Sequence, residues 1–135
     1  MNTEKLSLIQ DDTLTLHLHQ QVLQAAGYAI ISFTPEGVLA YATDSLTQLT
    51  GYQIEDLVGQ TYEDLYRLLI VPDLLSPEPN FERDFVSRQA LTHHMITKDS
   101  EEKWVEYRII NTIEHDNIHA LVQDVTNQYL AEQAL

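Results

Sequence analysis

Apolar residues first recur at helical spacing, then alternate, then return to helical spacing before a strand-like final third. Leu14, Leu18, Val22 and Ala25/Ala26 share one helical face. Asp11-Asp12-Thr13 supplies acidic and hydroxyl groups where helical N–H groups lack partners, and Gly27 can take the left-handed conformation that closes a helix. Leu14, Leu16 and Leu18 also alternate with Thr15, His17 and His19, a strand pattern, but length and caps favour the helix. Tyr28-Ala29-Ile30-Ile31-Ser32-Phe33 and Val38-Leu39-Ala40-Tyr41 read as two short strands. Thr34-Pro35-Glu36-Gly37 between them has Pro second and Gly fourth, as a type I turn prefers.

Residues 44–69 return to helical spacing, interrupted by glycine. Asp44 or Ser45 can cap a short helix through Leu46 and Leu49 that Gly51 stops. A second short turn, 54–58, is stopped by Gly59, and Thr61 can cap a third helix through Leu65, Leu68 and Leu69. The Pro-dense stretch 72–79 reads as a surface loop inside the domain. Phe81, Phe85, Val86 and Gln89 predict a helix of about three turns. Strand patterns follow at 91–97, 104–113 and 118–122, joined by a polar connection at 98–103 and a tight turn at His115-Asp116-Asn117. Asp124-Val125-Thr126 then opens a terminal helix, 127–135. The order predicts an α+β fold with one antiparallel sheet of five strands, whose first and last strands meet.

Charge and composition narrow the chemistry. The 135 residues carry 7 Lys+Arg against 21 Asp+Glu, a formal charge of −14, and no cysteine. A 44% hydrophobic content describes a globular chain and not an acidic disordered tail. The charge argues against nucleic acid or an anionic membrane as principal partner, since both are polyanions. Within these residues, the absent thiol excludes disulfides, thiolate catalysis, Cys-ligated zinc, iron–sulfur clusters and a cysteinyl cofactor adduct. No run approaches the roughly 18 apolar residues that span a bilayer, and residues 1–5 do not resemble a secretion signal. The expectation is a cytoplasmic chain without membrane insertion.

Four motifs in order carry a family resemblance. Gly37-Val38-Leu39-Ala40-Tyr41-Ala42 comes first, then Leu49-Thr50-Gly51-Tyr52 with Glu55-Asp56-Leu57-Val58-Gly59. Trp104-Val105-Glu106 is the third, and Asp124-Val125-Thr126 with Ala131-Glu132 and Leu135 the last. Together, over about residues 20–135, the chain resembles the PAS domain family. Thr43 stands where the family usually has Asn, so the cap of the first internal helix is expected to differ. Ser100 stands where the family usually has a hairpin Gly, so the turn between the third and fourth strands is expected to be built differently.

The resemblance implies a ligand cavity between the sheet and the helices. Strand alternation sorts its lining. Val105, Tyr107 and Ile109 share one face of the fourth strand, and the charged alternate set cannot line an apolar core cheaply. In the same register His93, Met95, Ala120 and Val122 point inward, whereas Leu121 faces outward, where Leu18 and Val22 could cover it. A one-residue slip would invert the set. Flavin-binding members of the family carry a cysteine and polar amides on the last strands. Here no cysteine is present, which excludes cysteinyl-flavin chemistry, and the amide positions correspond to Met95, Val105 and Val122, which disfavours a flavin held otherwise. The haem-binding branch has an axial His near the helix before the third strand. Residues 81–90 contain none, although His93 follows, so haem is also disfavoured.

Other candidate chemistry is thin. His17 and His19, His93 and His94, and His115 and His119 lack the spacing of a helical zinc pair, so no metal site is expected. The acidic pairs Asp11-Asp12, Glu55-Asp56, Glu63-Asp64 and Glu101-Glu102 fall on caps and turns and read as solvated surface. No Gly-rich phosphate loop and no G-x-S-x-G occurs. The expectation is a non-enzymatic sensory module: an N-terminal capping or dimerisation helix (1–27), a core (28–126) and the start of a signalling helix (127–135). A small ligand would act through Asp124 and Thr126 on an effector after Leu135, of histidine kinase or diguanylate cyclase type, in a homodimer paired through the N-terminal helix. The alternatives are a ligand-free interaction module and, behind it, a small acidic enzyme using Tyr107 and His93.

Overall fold

Five strands form one antiparallel sheet, in which the second strand lies beside the first and the fifth, fourth and third follow. They are β1 (Tyr28–Phe33), β2 (Leu39–Ala42), β3 (Ala90–Ile96), β4 (Glu102–Ile110) and β5 (Ile118–Asp124). The computed structural model describes residues 18, 21–73, 75, 77–87, 90–110 and 117–134. The helix start at 11–13, His17, His19, Gln89, His115, Asp116 and Leu135 therefore lie outside the described residues, as does most of the N-terminal apolar stripe. First and last strands do meet: β1 pairs β5 from Tyr28↔Gln123 to Phe33↔Ile118.

The β1–β2 turn follows from its sequence. Gly37 N–H donates to the Thr34 carbonyl at 2.9 Å, and Gly37 takes φ +93°, a left-handed value open to a residue without Cβ. It also lets Phe81 approach, since a Cβ there would sit 2.9 Å from the Phe81 ring. Three short helices follow: α1 (Ser45–Thr50), α2 (Ile54–Leu57) and α3 (Tyr62–Leu69). Thr61 caps α3 by accepting the Asp64 N–H at 3.2 Å. The core fills the space between these helices and the inner sheet face. Ala29 and Phe33, Ala120 and Val122, Val105 and Tyr107, and Met95 meet Leu46, Leu49, Leu57, Tyr62 and Leu65. The last helix, α4 (Thr126–Gln133), leaves the sheet after β5.

Several expectations change. The three-turn helix at 81–89 is, within the described residues, a π-helical turn, Glu82–Val86. The Ser87 N–H and hydroxyl both donate to the Glu82 carbonyl across the wide turn, and at its start Asn80 Oδ1 accepts the Arg83 N–H and Asp84 Oδ2 the Asn80 N–H. Phe81 and Phe85 are thereby stacked at 5.4 Å. Asp44 occupies the cap position of α1 without a side-chain bond. Thr43 instead accepts the Ile30 N–H at 2.9 Å and bonds the Ser45 hydroxyl at 2.8 Å, tying α1 to β1. Ser100 does not rebuild the β3–β4 turn. It adopts φ +67°, the left-handed conformation a glycine would take. Leu18 and Val22 are 50% and 66% exposed, so neither is buried as a cover over Leu121 would require. Strand β4 starts earlier than the sequence suggests because Glu102 and Lys103 complete the ladder with Ile96 and Met95.

Candidate functional site

Inner-face side chains of β3, β4 and β5 close an apolar cavity of about 110 Å³ against α1, α2, α3 and the π turn. Of the seven residues expected to face it, His93, Met95, Val105, Tyr107 and Val122 line it. Ile109 and Ala120 lie on the same face but pack into the core beyond the cavity wall. Leu46, Leu49, Leu57, Leu65 and Leu69 supply most of the opposite wall.

Aromatic rings determine the cavity's outer end. Tyr107 stacks on Phe85 at 4.9 Å, and its hydroxyl donates to the Asp84 carbonyl at 2.8 Å, joining β4 to the π turn. His93 lies between Tyr107 and Tyr66, with ring centroids 5.5 and 5.4 Å away. Burial first, and the neighbouring Tyr107 phenol second, push the Tyr62 pKa above the usual phenol range. Burial, followed by the Asp84 charge, raises that of Tyr66. Asp84 is a buried carboxylate that the sequence reading passed over. Its Oδ1 accepts Arg83 Nε–H at 2.7 Å, which raises the Arg83 pKa. Phe81 and Phe85 frame Asp84 one helical turn apart, and Tyr62 and Tyr66 share the same spacing. Those two frames were the available signal.

The second part of the site is the exit of the sheet. Asp124 is not the cap of α4; Val125 holds that position and makes no side-chain cap bond. Asp124 Oδ1 instead accepts both the N–H and the hydroxyl of Thr126, at 2.9 and 2.5 Å. Thr126 Oγ1 in turn accepts the Trp104 N–H at 3.0 Å, and the Val125 N–H donates to the Trp104 carbonyl at 2.8 Å. The Trp104 indole lies between His94 and Tyr129, stacked at 4.4 and 4.7 Å. His94 Nε2 is also 3.1 Å from Glu102 Oε1. Sequence order alone could not bring His94 and Tyr129 to one indole.

Among the described residues, no group of three His, Asp or Glu side chains could hold a metal, and no helix is long and apolar enough to cross a membrane. No protein-family model and no curated protein matches the chain. Solved structures do. The PAS domain of an HTR-like protein from Haloarcula marismortui matches with a TM-score of 0.61 at 12% identity, covering 89% of this chain and 98% of that one. A PAS domain from Desulfitobacterium hafniense matches with 0.57 at 18% identity, covering 77% and 98%. A sensory box histidine kinase/response regulator from Burkholderia thailandensis gives 0.55 at 16% identity, covering 86% and 90%. The chain has the PAS fold.

Proposed function

We propose that this chain is a sensory module. A small molecule in the apolar cavity shifts β4 and β5, and the Asp124–Thr126 junction passes the shift to α4 and an effector beyond it. The observation that carries the reading is an adjacency on β4. Val105 lines the cavity, while its neighbour Trp104 holds both Thr126 and Val125. Val122 likewise lines the cavity two residues before Asp124. A ligand moves such a junction only if it binds its two arrangements with different affinity.

Cavity size supports a small ligand. A void of roughly 150 Å³ accommodates benzene, so an apolar cavity of about 110 Å³ favours a ligand portion of that size over the multi-ring systems of flavin and haem. A histidine kinase is the favoured effector over a diguanylate cyclase, in keeping with the name of the Burkholderia thailandensis neighbour. Exposure of Leu18 and Val22 supports pairing of two copies through the N-terminal helix.

A ligand-free interaction module is the second reading, favoured by the small volume of the cavity. Catalysis by Tyr107 and His93 is weaker, because the Tyr107 hydroxyl is committed to the Asp84 carbonyl. Ligand-observed NMR with a library of small apolar compounds tests the proposal. Hits should disappear in Val122→Phe, which fills the cavity; hits that persist unchanged would contradict it.

A further inference from the structure

Tyr66 and His93 are among the residues that line the apolar cavity. Both rings also line a second cavity of about 310 Å³, with Arg83, Asp84, Leu91 and Thr92 among its other walls. The two rings stand edge to face at 5.4 Å, a partition with one chamber on either side. Both side chains are part-buried.

The chambers differ in chemistry. Aliphatic and aromatic groups dominate the inner one, whereas the outer one presents a carboxylate, a guanidinium, a hydroxyl and an imidazole. Its charges already have partners. Arg83 Nε donates to Asp84 Oδ1 at 2.7 Å and Arg83 Nη2 to the Glu78 carbonyl at 2.6 Å, while Asp84 Oδ2 accepts the Asn80 N–H at 2.9 Å. A charged ligand head would have to break that pair or remain uncompensated beside it; a neutral donor and acceptor would not.

Resting on the reading of the inner cavity as a ligand site, we infer that the two chambers form one site for an uncharged amphipathic molecule. A short alkyl end, smaller than a benzene ring, fills the inner chamber. A larger neutral head of amide type hydrogen-bonds in the outer one, with the Tyr66–His93 partition turned aside. Together the chambers reach the roughly 300–1,000 Å³ of small-molecule sites, which the inner one alone does not.

A matched series of probes tests this by NMR titration of the full chain: N-butyrylglycinamide, N-butyrylglycine, N-(2-aminoethyl)butyramide and N-acetylglycinamide. The neutral butyryl amide should bind at least about fivefold more tightly than the anionic or cationic probe. The acetyl amide, two methylenes shorter, should bind about tenfold more weakly. Thr92→Arg, on an exposed position, should shift preference toward N-butyrylglycine by about fivefold or more. Equal binding of the charged heads, indifference to tail length, or no binding of any probe would overturn the inference. Xenon separates the two claims, because it needs only the apolar chamber. Xenon entry without probe binding overturns the ligand class and leaves the cavity reading standing; if neither enters, both fail.

Discussion

The Thr126 hydroxyl accepts the Trp104 N–H at 3.0 Å and so fastens the first residue of α4 to the strand that lines the cavity. Its proton goes to Asp124 Oδ1, which leaves the oxygen lone pairs facing β4. Thr126→Val keeps the shape, removes the acceptor and strands the Trp104 N–H. The expected cost is about 1–3 kcal/mol in urea unfolding, with faster amide exchange at Trp104. Asp124→Asn, which keeps an acceptor oxygen at that position, should cost less.

Ser100 carries the opposite expectation. Its φ of +67° places a Cβ in the left-handed region, at about 1–2 kcal/mol for an L residue, while glycine would cost about 0.5–1 kcal/mol in chain entropy. Ser100→Gly should therefore stabilise the fold by about 0.5–1 kcal/mol, read as a raised thermal midpoint.

Tyr107 joins β4 to the π turn through its hydroxyl and the Asp84 carbonyl, 2.8 Å apart. Tyr107→Phe leaves the Phe85 stack and removes the bond to the Asp84 carbonyl. Loss of about 1–2 kcal/mol is expected, with amide exchange rising first across 82–86.

Alkali should unfold the protein partly through Tyr62. The folded-state pKa of this phenol is raised by burial and by Tyr107, so below about pH 10 folded and unfolded chains hold the same proton and stability is complete. Above that, unfolded chains release the proton and folded ones retain it, which removes up to about 1.4 kcal/mol per pH unit. Urea midpoints at pH 9 and 11 should fall less for Tyr62→Phe than for the unmodified chain.

Local signals made much of this architecture legible. Pro35 and Gly37 announced the β1–β2 turn, Thr61 the start of α3, and the alternation of Trp104 to Ile109 the inner face of β4. Where several side chains compete for one backbone, the pattern was insufficient. Phe81 and Phe85 fit an α-helix as well as a π turn; Ser87 decides between them, its N–H and its hydroxyl both reaching the Glu82 carbonyl five residues back. Asp124 marks the opening of the terminal helix in the sequence, but its bond to the Thr126 hydroxyl, itself committed to another strand, depends on a contact distant in the chain. The buried Asp84 escaped notice because its burial depends on rings from α3 and β4, far away in the chain. The stack of His94, Trp104 and Tyr129 has the same origin.

Whether filling the cavity moves the junction is best measured by amide exchange at Trp104, Val125 and Tyr129 in Leu65→Phe. Leu65 lines the cavity from α3, distant in sequence from the junction. Leu68→Phe, on the exposed side of the same helix, is the control. The account predicts that exchange at the three junction amides changes at least about threefold in Leu65→Phe and stays constant in Leu68→Phe. Changes confined to the cavity wall, with Trp104, Val125 and Tyr129 unmoved, would contradict it.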